Sequence, residues 1–484
     1  VGARTECGHD AGATARPHPP IARAIGAREK HFHTTGAMKK AKMAPSIAAS
    51  RRPRQGTGND GNEEGRDDGV VDASAEPMRI SLFFARAPKL ALVITLLATL
   101  AGGALSAHAA DPAEIRIGYL RLVESKQQPI SLIDEPNDDD GLAGARLGID
   151  DNNGTGRFTN QHFSIEDVRV KPTDDAAAAA KSLIDKGIML IVVDLPPAMV
   201  LAAAEAARPA GATLFDAGST DDSLREENCR ANVIHTAPTR SMLADALAQY
   251  LSWKRWQRWL LVTGSHPQDA LYADALKRAA KRFGATIVEE RVYKDTGGAR
   301  RTDTGIVQTQ KQIPVFTQNA PAYDVLVAAD ESNVFAGYLP YRTWDARPVA
   351  GSAGLVPTSW DPAHDSWGAV QMQNRFIKLA QRRMKAIDMQ AWTAVRMIGE
   401  GATRTQSAEP AKIVTYIKSP SFEVAAFKGQ KLTLRDWNLQ LRQPILLSDG
   451  RTVVSVSPQE GYLHQTSELD TLGYDRPETK CKLN

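Results

Sequence analysis

The chain has 484 residues, with 59 Lys+Arg against 56 Asp+Glu and a formal net charge of +3. Of these, 15 basic and 10 acidic residues fall within 1–109, leaving 44 and 46 in the remainder, whose formal charge is near -2. A balance so close to neutrality gives no argument for a nucleic-acid surface.

Residues 1–77 are rich in Ala, Gly, Pro and charge, as in RRPRQGTGNDGNEEGRDDG, with no apolar periodicity. Such a stretch cannot bury enough surface to offset its conformational entropy, so it is expected to be disordered or upstream leader sequence. Met78 then opens a secretory signal over 78–109. Arg79, Arg86 and Lys89 form the positive region, Leu90 to Leu100 the apolar region, and Ala107-His108-Ala109 the small-x-small cleavage site. The apolar run is short for a bilayer span. The working protein is therefore expected to begin near Ala110, outside the cytoplasm. Only Cys229 and Cys481 follow that point, and in an oxidising compartment they are expected to pair, two independent thiols being the alternative.

The remaining chain of about 375 residues exceeds the size of a single core. Its pattern alternates in chain order. Ile115–Leu120 reads as a strand, and 141–150 as a helix led by Asp138–Asp140. Phe163–Val170, Met189–Val193, 212–216 and Asn232–His235 read as strands, with helices at Asp174–Lys186 and Pro197–Arg208 between them. After a helix at Ser241–Trp253 the rhythm restarts. Strands at Trp259–Thr263, Ala285–Tyr293, Tyr323–Ala329 and Pro348–Ala350 are separated by helices at Asp269–Phe283, 305–320 and 332–339. Helices follow at Ala369–Ile387 and Ala391–Ile398, then short strands at Lys412–Ile417, Lys431–Leu434 and Thr452–Ser455. The succession predicts an α/β fold of two Rossmann-like lobes around a ligand cleft. Residues 110–240 form the N-terminal lobe and 241–368 the C-terminal lobe, and 369–484 cross the hinge to complete both, with the tail tied to the N-terminal lobe.

No GxGxxG, phosphate loop, HExxH or GxSxG elbow is present, so no catalytic residue is assigned. Gly264-Ser265-His266 reads as a strand-to-helix turn more simply than as a nucleophile. Ligands of open parallel sheets meet the carboxyl ends of strands. That rule selects Arg121, Glu124, Asp194, Ser219, Thr220 and Arg240 in the first lobe, and Thr263, Ser265, Asp330 and Glu331 in the second. Each serves equally well as a helix cap, and the set carries the assignment. Trp344 and Trp360 join it from the stretch holding Tyr338, Tyr341, Arg342, Arg347 and Trp367, whose rings suit a planar ligand or ordinary packing. Trp253, Trp256 and Trp259 have the spacing of one helical side. Asp138, Asp139 and Asp140, within a longer acidic run, offer carboxylates to a metal or simply favour the following helix N-terminus.

Over roughly 112–410, from IRIGYL through GLAGARLGIDDNNGTGRF, the chain resembles type I periplasmic solute-binding proteins of the branched-chain amino-acid-binding class. ENCRANVIHTAPTR and SELDTLGYDRPETKCKLN more narrowly resemble the substrate-binding component of ABC systems associated with pyrroloquinoline quinone-dependent alcohol dehydrogenases (PQQ systems). The resemblance implies a monomeric periplasmic receptor that closes on a solute and docks on ABC permease and ATPase subunits. It implies no covalent chemistry and no required cofactor. Pyrroloquinoline quinone, a lanthanide or its complex, and an amino-acid-like solute are the ligands it brings forward. Asp194-Leu195-Pro196-Pro197 replaces the small polar turn that amino-acid binders carry. A ligand sensor, or a chaperone for quinoprotein maturation, is the alternative role.

Overall fold

The computed structural model describes residues 111–123, 136–296 and 309–483. The leader, the signal segment and Glu124 lie outside them. Among the described residues no helix is long and apolar enough to cross a membrane.

Five parallel strands form the first sheet: β1 (Ala113–Leu122), β2 (Gln161–Val170), β3 (Leu190–Asp194), β4 (Thr213–Asp216) and β5 (Val233–His235). Their order is β2-β1-β3-β4-β5. Strands of a sheet covered on both sides are apolar at every position, and alternation sorts their side chains between faces. Leu190 and Val192 join one core with Ile115, Ile117, Phe215 and Ile234. Ile191 and Val193 join the other, against α2 (Ala176–Asp185) and α3 (Pro197–Ala207).

The second sheet is also parallel, with order β7-β6-β8-β9. It comprises β6 (Arg258–Thr263), β7 (Thr286–Val292), β8 (Val325–Ala329) and β9 (Val349–Gly351). Trp259 and Leu261 face a core shared with α4 (Arg240–Trp253) and α5 (Pro267–Arg282). Leu260 and Val262 face the other side, with Ile313 of α6 (Thr309–Thr317) and Leu339 of α7 (Leu339–Arg342). Trp253, Trp256 and Trp259 do not share one helix. Trp253 ends α4, while Trp259 lies in β6 and donates its indole N–H to the Trp256 carbonyl at 2.8 Å.

The chain passes between lobes three times, near 236–240, 358–360 and 442–445. After the second passage it returns to the first sheet and adds α8 (Ala369–Ala380), α9 (Ala386–Thr405) and α10 (Pro410–Ile417) to the face that α1 (Leu142–Thr159) also covers. A small antiparallel sheet of β11 (Val424–Ala425), β12 (Lys431–Leu434) and β13 (Leu441–Arg442) closes that layer. After the third passage β14 (Ile445–Ser448) pairs with β10 (Val356–Thr358) and β15 (Val453–Ser457), placing Ile445 and Leu447 in the second lobe's core.

Two expectations about this region are corrected. Lys412–Ile417 is helical rather than a strand. Its β-branched residues suggest extension, but Pro410 starts a helix and Ile413 and Ile417, one turn apart, are the buried pair. The single helix expected over Ala369–Ile387 breaks at Gln381, which takes a left-handed conformation, and the chain restarts as α9 with the Asp388 carboxylate accepting the Lys385 N–H at 2.9 Å.

The first layer is set by α1 (Leu142–Thr159), which runs parallel to α9 at very close range. The absence of a side chain at Gly144 permits this, since a methyl there would lie 1.9 Å from the Asp388 carbonyl oxygen.

Candidate ligand-binding site

The carboxyl ends of both sheets carry most of the predicted ligand residues, and the structure divides them into groups with different partners. Arg121 ends β1 and forks onto Asp167, with its Nε 2.8 Å from Oδ1 and a terminal nitrogen 3.0 Å from Oδ2. It also donates to the Asp138 carbonyl. Its donors hold the loop before α1 in place.

The acidic run in that loop is met by the chain's own cations. Arg382 reaches Asp139 at 2.9 Å, Asp140 at 3.4 Å and Asp388 at 2.7 Å, and Lys385 reaches Asp140 at 2.9 Å. Among the described residues no group of three or more His, Cys, Asp or Glu is arranged to hold a metal ion. Of the three candidate ligands Asp138, Asp139 and Asp140, the latter two are thus ion-paired with an arginine and a lysine.

Asp194 ends β3 and packs against Gly218, where an added methyl would lie 2.1 Å from its Oδ1. Ser219 donates its backbone N–H to Asp216 at 2.9 Å and its carbonyl accepts Arg225 at 2.8 Å. The Thr220 carbonyl accepts the Arg240 N–H at 2.9 Å. Beneath this loop, buried Asp216 lies 2.9 Å from His235 and 3.3 Å from Arg225. Burial, helped by the Arg225 charge, lowers the His235 pKa to about 4.

Arg240 opens α4 at the first passage between lobes. It forks onto Glu331 of the second lobe at 2.7–3.0 Å and reaches Asp221 of the first at 3.1 Å. Asp330 accepts the N–H groups of Val334, Phe335 and Ala336 at 2.7–2.9 Å, so it is a cap. Ser265 accepts the Asp295 N–H at 3.0 Å, and His266 lies 2.9 Å from the Asp295 carboxylate. No hydrogen bond joins Ser265 to His266 among the described residues, so they do not form a nucleophile–base pair. With Thr263 and Lys294 they line a cavity of about 600 Å³. Trp344 and Trp360 are not brought together. Trp344 is 61% exposed on the second lobe, whereas Trp360 is 2% exposed within the first lobe's core.

Three buried hydroxyls remain without a hydrogen-bond partner among the described residues, Tyr119 Oη, Thr263 Oγ1 and Tyr323 Oη, and the first two lie on strands. Tyr119 and Thr263 belong to equivalent strands. β1 lies between β2 and β3 in its sheet as β6 lies between β7 and β8 in the other, and both residues sit toward the carboxyl end. Burial, with Asp194 and Asp388 nearby, raises the Tyr119 phenol well above its ordinary pKa, so it remains a neutral donor. Thr263 is among the residues predicted from strand ends. Tyr119 was missed because it lies inside the apolar run IRIGYL, where a tyrosine reads as core. The lone phenol in that run was the available signal.

A family model described as "Periplasmic binding protein" matches residues 134–447. No curated protein sequence matches the chain. Among solved structures, an ABC transporter substrate-binding protein from Sphaerobacter thermophilus superposes with a TM-score of 0.58 at 16% identity, covering 75% of this chain and 100% of its own. A leucine-, isoleucine-, valine-, threonine- and alanine-binding protein from Brucella ovis, in a closed conformation, gives 0.55 at 13% identity, covering 78% and 100%. A solute-binding protein from R. palustris in complex with 4-hydroxybenzoate gives 0.53 at 13% identity, covering 71% and 97%.

Proposed function

The chain belongs to the periplasmic binding protein family, and we propose that it is the solute-capturing subunit of an ABC transporter, acting in the periplasm without covalent chemistry. The solute is a small organic acid of amino-acid-like size, held as the two lobes close. The observation that carries this reading is the pair of buried, unpartnered hydroxyls on equivalent strands, Tyr119 and Thr263. A neutral O–H buried without an acceptor is costly, and a ligand oxygen presented from the cleft removes that cost. Solved structures of this fold, one named as a leucine-, isoleucine-, valine-, threonine- and alanine-binding protein and one in complex with 4-hydroxybenzoate, support the size and charge class.

The finer reading, a PQQ-linked transport system with pyrroloquinoline quinone or a lanthanide complex as solute and a functional link to a quinoprotein alcohol dehydrogenase, rests on 227–240 and 467–484. These segments meet through the Cys229–Cys481 disulfide, beside which Glu226 accepts the Lys480 N–H at 2.6 Å. Their likeness therefore speaks for a shared hinge construction, and the solute is tested separately.

Calorimetry on refolded protein with leucine-type amino acids, small carboxylates, the quinone and a lanthanide tests both levels. Tyr119→Phe and Thr263→Val are each expected to weaken the bound solute about tenfold. Unchanged affinity in both variants refutes the site, and tight binding of leucine-type amino acids alone refutes the quinone reading. Copurification with permease subunits supports transport, whereas stable pairing with the dehydrogenase supports the chaperone role.

A further inference from the structure

The first lobe carries a second cavity, of about 550 Å³, that shares no residue with the strand-end set. Trp367, Trp392, Phe427, Arg396, Lys428 and Asp151 are among its lining residues. Its aromatic walls are held at a backbone cost. Trp367 and Phe427 take φ values of 52° and 55°, a left-handed conformation that bulky residues rarely adopt. Gly429 leaves the room they need, since a methyl there would lie 2.6 Å from the Trp367 ring. Trp392 and Phe427 pack at 5.6 Å between centroids.

The charges around this cavity are unbalanced. The Asp151 carboxylate accepts the Trp392 indole N–H at 2.9 Å and pairs with Arg375, while Lys431 pairs with Glu423. Arg396 donates to the Asn152 amide oxygen and Lys428 to that of Gln443. Among the described residues neither cation has a carboxylate within ion-pair distance. Burial lowers the pKa of both groups, that of Lys428 to about 7. Desolvated cations beside aromatic walls lack only an anion with a flat apolar body.

The same walls run on to the hinge. Gln443, which holds Lys428, donates to the Thr236 carbonyl at 2.8 Å, joining the third passage between lobes to the first. His364 lies 5.5 Å from the Trp367 ring and 5.2 Å from Trp360, beside the second passage, and its Nε2 is 3.0 Å from the Phe427 carbonyl.

We propose that this cavity binds a small aromatic carboxylate, and that its occupancy is transmitted to the passages between the lobes. Benzoate is the probe, with benzamide as the uncharged control, titrated calorimetrically against the full chain. Benzoate is expected to bind, and benzamide to bind at least about tenfold more weakly. Arg396→Gln and Trp367→Ala are each expected to weaken benzoate by a similar factor, with unchanged far-UV circular dichroism. No binding of benzoate to the wild-type protein, or equal binding of benzamide, overturns the proposal. So does a loss of benzoate binding in Thr263→Val but not in Arg396→Gln, which places the ligand at the strand ends instead. Hydrogen exchange with benzoate bound is expected to slow over 234–240 and 440–445 as well as 425–431. Protection confined to 425–431 overturns the link to the hinge.

Discussion

Removing the Cys229–Cys481 bond is expected to lower stability substantially. The bond closes a sequence separation of 252 residues. In the chain-entropy account a loop of that length removes about 5 kcal/mol of freedom from the unfolded state, while measured losses for native bonds run at about 2–5 kcal/mol. The native tail keeps much of its position without the bond. Arg435 holds Asp470 at 2.9 Å and the Leu472 carbonyl at 2.8 Å, and Gly473 donates to Asp245 at 2.9 Å while its carbonyl accepts Arg282 at 2.7 Å. Native contacts should therefore change little, and the effect should fall on the unfolded chain. Urea unfolding of Cys229→Ser, Cys481→Ser and the double variant, compared with the oxidised protein, measures it. All three variants should lose the same amount, about 2–5 kcal/mol. A loss below about 0.5 kcal/mol, or a double variant much weaker than either single one, would refute the reasoning.

Three further outcomes are expected. The His235 pKa is about 4 in the folded protein against 6.5 for a free histidine, so the unfolded chain binds the proton first. The associated stability is present above about pH 6.5 and is lost as pH falls toward 4, by up to about 3 kcal/mol, and His235→Gln should flatten that part of a urea-midpoint profile. Gly144→Ala forces α1 away from the Asp388 carbonyl and should cost about 2–3 kcal/mol in chemical unfolding, with a neutral result showing that the helices separate freely. Arg240→Met and Glu331→Gln should couple by about 1.5–3 kcal/mol in a double-mutant cycle, because the pair makes three charged hydrogen bonds at 2.7–3.0 Å, and strictly additive losses would sink that estimate.

The sheets were legible because strands such as LIVVD and WLLVT are apolar on both faces, a pattern that parallel sheets buried by helices require. Lys412–Ile417 was misread because its β-branched residues fit a strand or a buried helix equally well, and only Pro410 decides. The strand-end rule selected Thr263, whose hydroxyl is buried without a partner, and Arg240, which pairs with Glu331, and it equally selected Asp330, whose carboxylate caps a turn. Linear sequence cannot separate these cases, since Asp serves both roles with the same chemistry. Nor could it show that Asp139 is met by Arg382, because that partner stands 243 residues away.

The order in which the first lobe is covered bears on how the protein is made. One face of its sheet is clothed by α1 together with residues 369–442, and the latter leave the ribosome only after the whole second lobe. Until then only α1 is available to Ile115, Ile117, Leu190 and Val192 on that face, so the earliest-made lobe is among the last to finish. A fragment ending near residue 240 should accordingly be sticky and unfolded. A rearranged gene that places the 369–442 stretch directly after the first lobe's strands should shorten that exposed interval during synthesis.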